Sequence, residues 1–266
     1  MKRNITKLLL LFLLLATAQT GFGWGVTGHR VVAEIAQRHL SGRAKRELRQ
    51  LIGDQQLAFW VNWPDFIKSD TTGRWKAMGQ WHYVDLPGQL SKADFVQQLK
   101  EKKGENLYTQ IKAMAAQLAD KKLPLEQRQI ALRFLIHLAG DLGQPLHVGR
   151  SDDQGGNKIT VYWFDKKTNL HALWDEALID FQQWSYTEYA TVLDVAGKDQ
   201  VAAWQRTPLE DCFYESHVLS DKIYALSPPD AKLSYRYNYL FAQDLNDQLL
   251  KSGIRLAALL NDALGR

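Results

Sequence analysis

The 266-residue chain carries 33 basic residues, 29 acidic residues and a single cysteine, Cys212. One cysteine excludes an intramolecular disulfide, so stability must come from a core, from bound metal, or from both. No block of lysine or arginine is present, which excludes a polyanion-binding tail, and no Pro/Gly/Ser-rich linker divides the chain, which points to one domain.

In chain order, the first element is a leader. Lys2, Arg3 and Lys7 precede an apolar run from Leu8 to Ala16 and then small residues. That pattern predicts a secretory signal peptide over residues 1–23 and a mature domain over 24–266. The apolar run falls short of the ~20 residues needed to span a bilayer. Two cleavage points fit, after Ala18 and after Gly23. Without the leader's three basic residues the balance is 30 against 29, so the whole-chain pI of 9.0 says nothing about a polyanion partner. The lack of disulfides, and of any N-x-[ST] site beyond Asn4-Ile5-Thr6, favours a bacterial export route.

Helical periodicity dominates the rest. "TGHRVVAEIAQRHL" places His29, Val32, Ala33, Ala36 and Leu40 on one stripe. Ser41 then caps a second helix ending near Gly53, and Ser91 with Asp94 forms a near capping box for a third. "PLEQRQIALRFLIHLAGDLG" predicts a helix with Pro124 in its first turn, stopping before Pro145. Alternation in "NKITVYWF", residues 157–164, predicts a small hairpin. "NLHALWDEALIDF" predicts another helix, and the last thirty-odd residues one or two more. The expected fold is all-α: a single compact multi-helix domain with a small β-hairpin.

Several polar residues break this pattern. His137 and Asp141 continue the apolar face of Ile130 and Phe134, His171 and Asp175 do the same beside Trp174 and Leu178, and His29 shares its stripe with Val32. A charged or imidazole side chain on a core face costs several kcal/mol unless it is paired. Two His/Asp pairs at i, i+4 can each grip one ion. Asp65 in "NWPDFIK", His82 in "QWHYVDLP" and His147 in "GQPLH" add further donors. Imidazole with carboxylate suits zinc better than calcium or magnesium, and the set exceeds one tetrahedral shell, so a multinuclear zinc centre is expected.

These segments resemble the single-strand-specific, trinuclear-zinc nucleases of the S1/P1 type, whose fold is shared with zinc-dependent bacterial phospholipases C. The resemblance rests on "WGVTGHRVVAEIA", "WPD", "HYVDLP", "FLIHLAGDLGQPLH", "GGN" and "NLHALWD", in that order along the mature chain. It implies that Asp65, His82 and His137 hold one zinc. Trp24, through its amino nitrogen and carbonyl oxygen, would hold a second with His29, and Asp141 would bridge those two. His147, His171 and Asp175 would hold the third. Trp24 must then be the first mature residue, with cleavage after Gly23, and Gly25 and Gly28 are expected to relax the turn toward His29. His39 and His217 are left to surface or core roles.

The activity implied is endonucleolytic hydrolysis of single-stranded RNA and DNA to 5′-phosphorylated products, with 3′-nucleotidase activity. Zinc ions acidify the attacking water and stabilise the leaving 3′-oxygen. Lys68 offers a cation to the phosphate where fungal relatives carry arginine, Asp65 orients the nucleophile, and Asn157 touches the phosphate or shapes its loop. Tyr83 stacks on a base whose edge Asp85 bonds, which only an unstacked base permits. A monomer, exported and free of the membrane after processing, is expected. Phospholipid hydrolysis on the same fold is the nearest alternative, against which Asp175 stands where that branch has glutamate. A non-catalytic zinc-binding protein is the other.

Overall fold

The structure, a computed structural model, describes residues 24–265. The expected signal peptide lies outside the described residues. The first helix, α1 (Val26–Arg38), buries His29, Val32, Ala33 and Ala36, the stripe read from the sequence. Ser41 Oγ accepts the Ala44 amide and starts α2 (Gly42–Ile52). Two single turns, α3 (Leu57–Trp60) and α4 (Trp63–Phe66), pass through 3₁₀ turns at Ile67–Ser69 and Lys76–His82 to α5 (Lys92–Glu101). A capping box of Asn106 and Thr109 opens α6 (Leu107–Ala119).

At the centre is α7 (Leu125–Gly143), buried almost without interruption from Ala131 onward. Pro124 stands one position earlier than expected, as the N-cap. Its neighbours are α6, α1 and the long C-terminal helix α13 (Tyr235–Leu264), which also packs on α1. Between α7 and α13 run a 3₁₀ turn, Pro145–Val148, then the strands β1 (Thr160–Trp163) and β2 (Lys166–Asn169). The expected continuous helix after Asn169 is instead α8 (Leu170–Ala172), a π-turn over Leu173–Ala177, and α9 (Leu178–Asp180). Next come α10 (Tyr186–Leu193), α11 (Lys198–Gln205) and α12 (Leu209–Leu226).

The fold is all-α with a minor sheet, as the periodicity predicts. The hairpin forms, with Thr160 opposite Asn169 and Trp163 opposite Lys166. A third strand, β3 (Ala231–Leu233), adds to β1 in parallel. Its three residues are too few to show alternation, so no local pattern announces it. The hairpin also delivers a donor: β2 ends at Asn169, whose side chain caps α8 and sets the direction of His171. No described helix is long and apolar enough to cross a membrane.

Candidate metal centre

Helix α7 supplies the framework. His137 and Asp141 lie one turn apart on it, both fully buried, with Nε2 of the ring 3.4 Å from Asp141 Oδ2. A buried imidazole must place its ring proton somewhere. His137 donates from Nδ1 to the Val61 carbonyl at 2.8 Å, which leaves Nε2 as a lone pair facing Asp65 Oδ1 at 3.7 Å and His82 Nδ1 at 3.1 Å. Asp65 is carried by α4, the turn that begins with Trp63 and Pro64, and His82 closes the 3₁₀ turn Lys76–His82.

The same logic fixes a second group across the site. His147 donates from Nδ1 to the His82 carbonyl, and His171 donates from Nδ1 to the Gly155 carbonyl, each at 2.6 Å. Their Nε2 atoms are therefore both lone pairs, and they lie 3.2 Å apart. Two acceptors at that distance repel unless a cation lies beside them. Asp175 Oδ1 is 3.7 Å from His147 Nε2, and Oδ2 is 3.5 Å from His171 Nε2. The Gly155 carbonyl reaches His171 because Gly155 and Gly156 both adopt positive φ, a conformation that glycine holds without a Cβ clash.

A third group forms on α1. His29 Nε2 sits 3.4 Å from Asp141 Oδ1, and its ring stacks on His137 at 3.9 Å between centroids. Gly140 makes room, since a Cβ there would lie 2.7 Å from His29 Nδ1. Asp141 thus turns its oxygens to different partners: Oδ2 to His82 at 2.9 Å and to His137, Oδ1 to His29 and to His147 at 3.6 Å. Three sets of donors result, His29/His137/Asp141, Asp65/His82/His137 and His147/His171/Asp175, and each could hold a metal ion.

Whether the residues fit a cation can be judged from their unmet valences. Both ring nitrogens of His29, Asp141 Oδ1 and Asp175 Oδ2 are buried without a hydrogen-bond partner. A buried polar atom left unpaired costs about 1–3 kcal/mol, and here several converge. Burial drives His137 down to about 3 and lowers His82, His147 and His171, against the pull of the neighbouring carboxylates, which favours the neutral form that ligates metal. The two deepest carboxylates diverge. Burial pushes Asp175 up to about 8, in spite of His171 and a hydrogen bond from Gln144. Burial also opposes ionisation of Asp141, yet the surrounding imidazoles hold it well below the usual range. Asp65 is lowered to about 2 because His137, Lys68 and His82 outweigh its burial. A cation set among these groups would keep all three carboxylates ionised.

Trp24 is fully buried, and the Gly25 amide donates to the Asp175 carbonyl at 2.6 Å, which ties the start of the described chain to the His147/His171/Asp175 group. The glycines after Trp24 do not relax a turn. Gly28 lies inside α1, and both positions need glycine for close packing: a Cβ on Gly25 would sit 2.5 Å from Glu176 Cγ, and one on Gly28 2.6 Å from Ile179 Cδ1. His39 pairs with Asp194 at 2.7 Å, and His217 is buried against Phe95 at 4.6 Å, both outside these groups.

Beside the donors opens a cavity of about 270 Å³, whose lining includes Lys68, His82, Tyr83, Asp85, Asn157 and His171. Lys68 Nζ donates to Asp65 Oδ1 at 2.6 Å. Burial pushes Asp85 up to about 7, with Asp153 and Asp152 adding to the effect and Lys102 opposing it. Asn157 Nδ2 donates to the Gln154 carbonyl at 2.9 Å, shaping the loop that borders the cavity. A separate, more apolar cavity of about 210 Å³, lined in part by Leu142, Cys212 and Arg255, contains none of the donors.

One residue escapes the sequence reading. Gln144 is fully buried, donates from Nε2 to Asp175 Oδ1 at 2.5 Å and accepts the Leu146 amide. It thereby orients one oxygen of Asp175 and leaves the other to the donor set. In the sequence it sits between Gly143 and Pro145, where it reads only as a helix stop.

The family profile of the S1/P1 nucleases matches residues 24–265. The chain belongs to the S1/P1 nuclease family. Membership makes it a nuclease, a phosphodiester hydrolase acting on nucleic acid. Among relatives, Endonuclease 2 of Arabidopsis thaliana is 28% identical over 98% of this chain and 98% of its own length. Endonuclease 4 of the same plant is 29% identical over 90% of this chain and 88% of its own. Nuclease P1 of Penicillium citrinum is 31% identical over 62% of this chain and 65% of its own.

Proposed function

We propose that the protein is an exported zinc endonuclease that cleaves single-stranded RNA and DNA to 5′-phosphorylated products and removes 3′-phosphates from nucleotides. The observation that carries this reading is Asp141, a fully buried carboxylate whose oxygens face different histidines, with three metal-capable groups around it. Asp65, His82 and His137 would hold one zinc; Trp24 and His29 a second; and His147, His171 and Asp175 a third, with Asp141 shared by the first two. The mixed imidazole and carboxylate set suits zinc. Bound there, zinc would acidify water near neutral pH and neutralise charge on the phosphoryl and leaving oxygens.

The chain's own groups do the positioning. Asp65, held by Lys68, orients the attacking water, while the Lys68 ammonium stays within reach of a phosphoryl oxygen. Asn157 retains an amide hydrogen for the phosphate. Tyr83 offers its face to an unstacked base, and Asp85, near its midpoint at pH 7, can bond the edge of that base as donor or acceptor. A duplex keeps its bases stacked and cannot enter, which accounts for single-strand preference. Asp175 favours nucleic acid over phospholipid as substrate. Trp24 contributes through a free α-amino group, because a peptide nitrogen has no basic lone pair, so cleavage between Gly23 and Trp24 completes the second site.

The test is hydrolysis of single- and double-stranded RNA and DNA and of phosphatidylcholine vesicles, before and after chelation and zinc add-back. Chelatable cleavage confined to single strands is expected. Preferential lipid turnover would replace the nuclease reading with a phospholipase. Metal loss without any change in hydrolysis would replace it with a non-catalytic role for the ions.

A further inference from the structure

Between the Pro145–Val148 turn and β1, three successive residues adopt a left-handed backbone: Gln154 at φ 58°, Gly155 at 60° and Gly156 at 84°. Glycine takes that conformation freely, whereas glutamine does so only against a steric cost. The turn must therefore be held, and Asp153 holds it. Its Oδ1 accepts the Gly156 amide at 2.7 Å, and its carbonyl accepts the Lys158 amide at 3.0 Å. The same Oδ1 accepts the Tyr224 hydroxyl of α12 at 2.8 Å. Burial and the Asp153 carboxylate push the Tyr224 phenol up, so it stays a donor. Tyr224 is fixed in turn. The Arg150 guanidinium lies 4.1 Å from its ring, and Asp221, one turn earlier on α12, accepts from Arg150 at 2.8 Å. Inside the held turn, the Gly155 carbonyl accepts Nδ1–H of His171 at 2.6 Å. The fit is close, since a Cβ on Gly155 would run into the Leu146 carbonyl and lie 3.3 Å from His171 Nδ1.

We propose that Asp153, tethered by Tyr224, is a positioning residue for the His147/His171/Asp175 group. This rests on the reading of that group as a zinc site. A ligating imidazole needs an acceptor fixed in space for its other nitrogen, which sets the ring direction and leaves Nε2 as the lone pair. For His147 that acceptor is the His82 carbonyl, in backbone that is itself paired, the Val84 amide donating to the His147 carbonyl at 2.8 Å. For His171 the acceptor sits on a loop whose left-handed residues would relax if released. Asp153 and Tyr224 connect that loop to α12, an eighteen-residue helix that contributes no residue to the three metal-capable groups. Asp153 thus acts through Gly155 and His171 without touching the ion. Asn157 follows on the same turn and lines the Tyr83 cavity, so turnover would mix two effects that metal affinity separates.

The experiment loads protein that begins at Trp24 with zinc, challenges it with a graded chelator series and counts zinc per molecule. Losing an outer partner of a metal-bound histidine costs about 10- to 100-fold in affinity. Asp153→Ala should therefore release one zinc at a roughly 10- to 100-fold lower chelator concentration and hold the other ions as the wild type does. An anomalous map of the depleted crystals should place the loss among His147, His171 and Asp175. Asp153→Asn keeps the oxygen acceptor and should restore the affinity. Tyr224→Phe should weaken the same ion, and should add nothing in the Asp153→Ala background. It removes a single hydroxyl from a half-buried ring, so the test stands even where Asp153→Ala does not fold. Unchanged affinity in Asp153→Ala and Tyr224→Phe, equal weakening of every ion, loss at a different group, or no recovery with asparagine would overturn the inference, while wild-type zinc content left the zinc reading standing. A wild type that binds no zinc at the His147/His171/Asp175 group would remove that reading, and the inference with it.

Discussion

Replacing Asp141 with asparagine changes one atom and tests the shared carboxylate directly. The side chain is fully buried and faces His82, His137, His29 and His147 at 2.9, 3.4, 3.4 and 3.6 Å. Asparagine keeps the volume but removes the negative charge and turns an N–H₂ group toward lone pairs on one side. A hydrogen bond or contact to a charged group contributes about 1.5–3 kcal/mol, and Asp141 faces two metal-capable groups. Losing one such interaction at each gives about 3–6 kcal/mol, or a roughly 10²- to 10⁴-fold weaker hold on metal at ~1.4 kcal/mol per tenfold. Dialysed Asp141→Asn, analysed by plasma mass spectrometry, should lose metal from both groups together and lose cleavage of single-stranded DNA with it. Full metal occupancy with wild-type turnover would refute the shared-ligand assignment. Tyr83→Ala, by contrast, should retain metal and raise KM.

The same geometry sets other outcomes. Metal removal exposes the converging lone pairs and should lower the melting temperature by roughly 10 °C or more, whereas a shift within a degree would mean weakly coupled ions. In the stripped protein, Asp175 has its folded pKa raised to about 8 from 3.8, so its contribution is present below pH 4 and is lost as pH rises toward 8. Asp175→Asn should flatten the stability profile of stripped protein across that window, and an unchanged slope would remove Asp175 as its cause. Gly140→Ala forces a Cβ to 2.7 Å from His29 Nδ1 and should cost about 1–3 kcal/mol while releasing metal from the His29 group; calorimetry with metal analysis checks both. Adding one residue before Trp24 should cost about one zinc per molecule and most activity, and retention of both would contradict the α-amino ligand.

Much of the centre is legible in the sequence because its residues break a strong pattern. His29, His137, Asp141, His171 and Asp175 all occupy apolar stripes, and the structure buries each of them. Caps at Ser41 and Ser91 are equally plain, since side-chain oxygen three residues before an amide is a local signal. What stays hidden depends on tertiary contact. The helix after Asn169 is interrupted by a π-turn, yet the i, i+4 relation of His171 and Asp175 survives it, so the donor pair is found while the local geometry is not. The parallel strand Ala231–Leu233 and the role of Gln144 depend on partners far away in sequence. Gly25 and Gly28 mislead, because glycine needed for close packing and glycine needed for a turn look the same until the neighbour is known.

The most direct test of the central claim is an anomalous difference map recorded across the zinc edge on crystals of protein that begins at Trp24. The account predicts three zinc peaks: one among Asp65, His82, His137 and Asp141, one among His29, Asp141 and the Trp24 amino nitrogen, and one among His147, His171 and Asp175. Peaks confined to surface carboxylates, or none within about 3 Å of the Asp141 oxygens at full zinc loading, would contradict it.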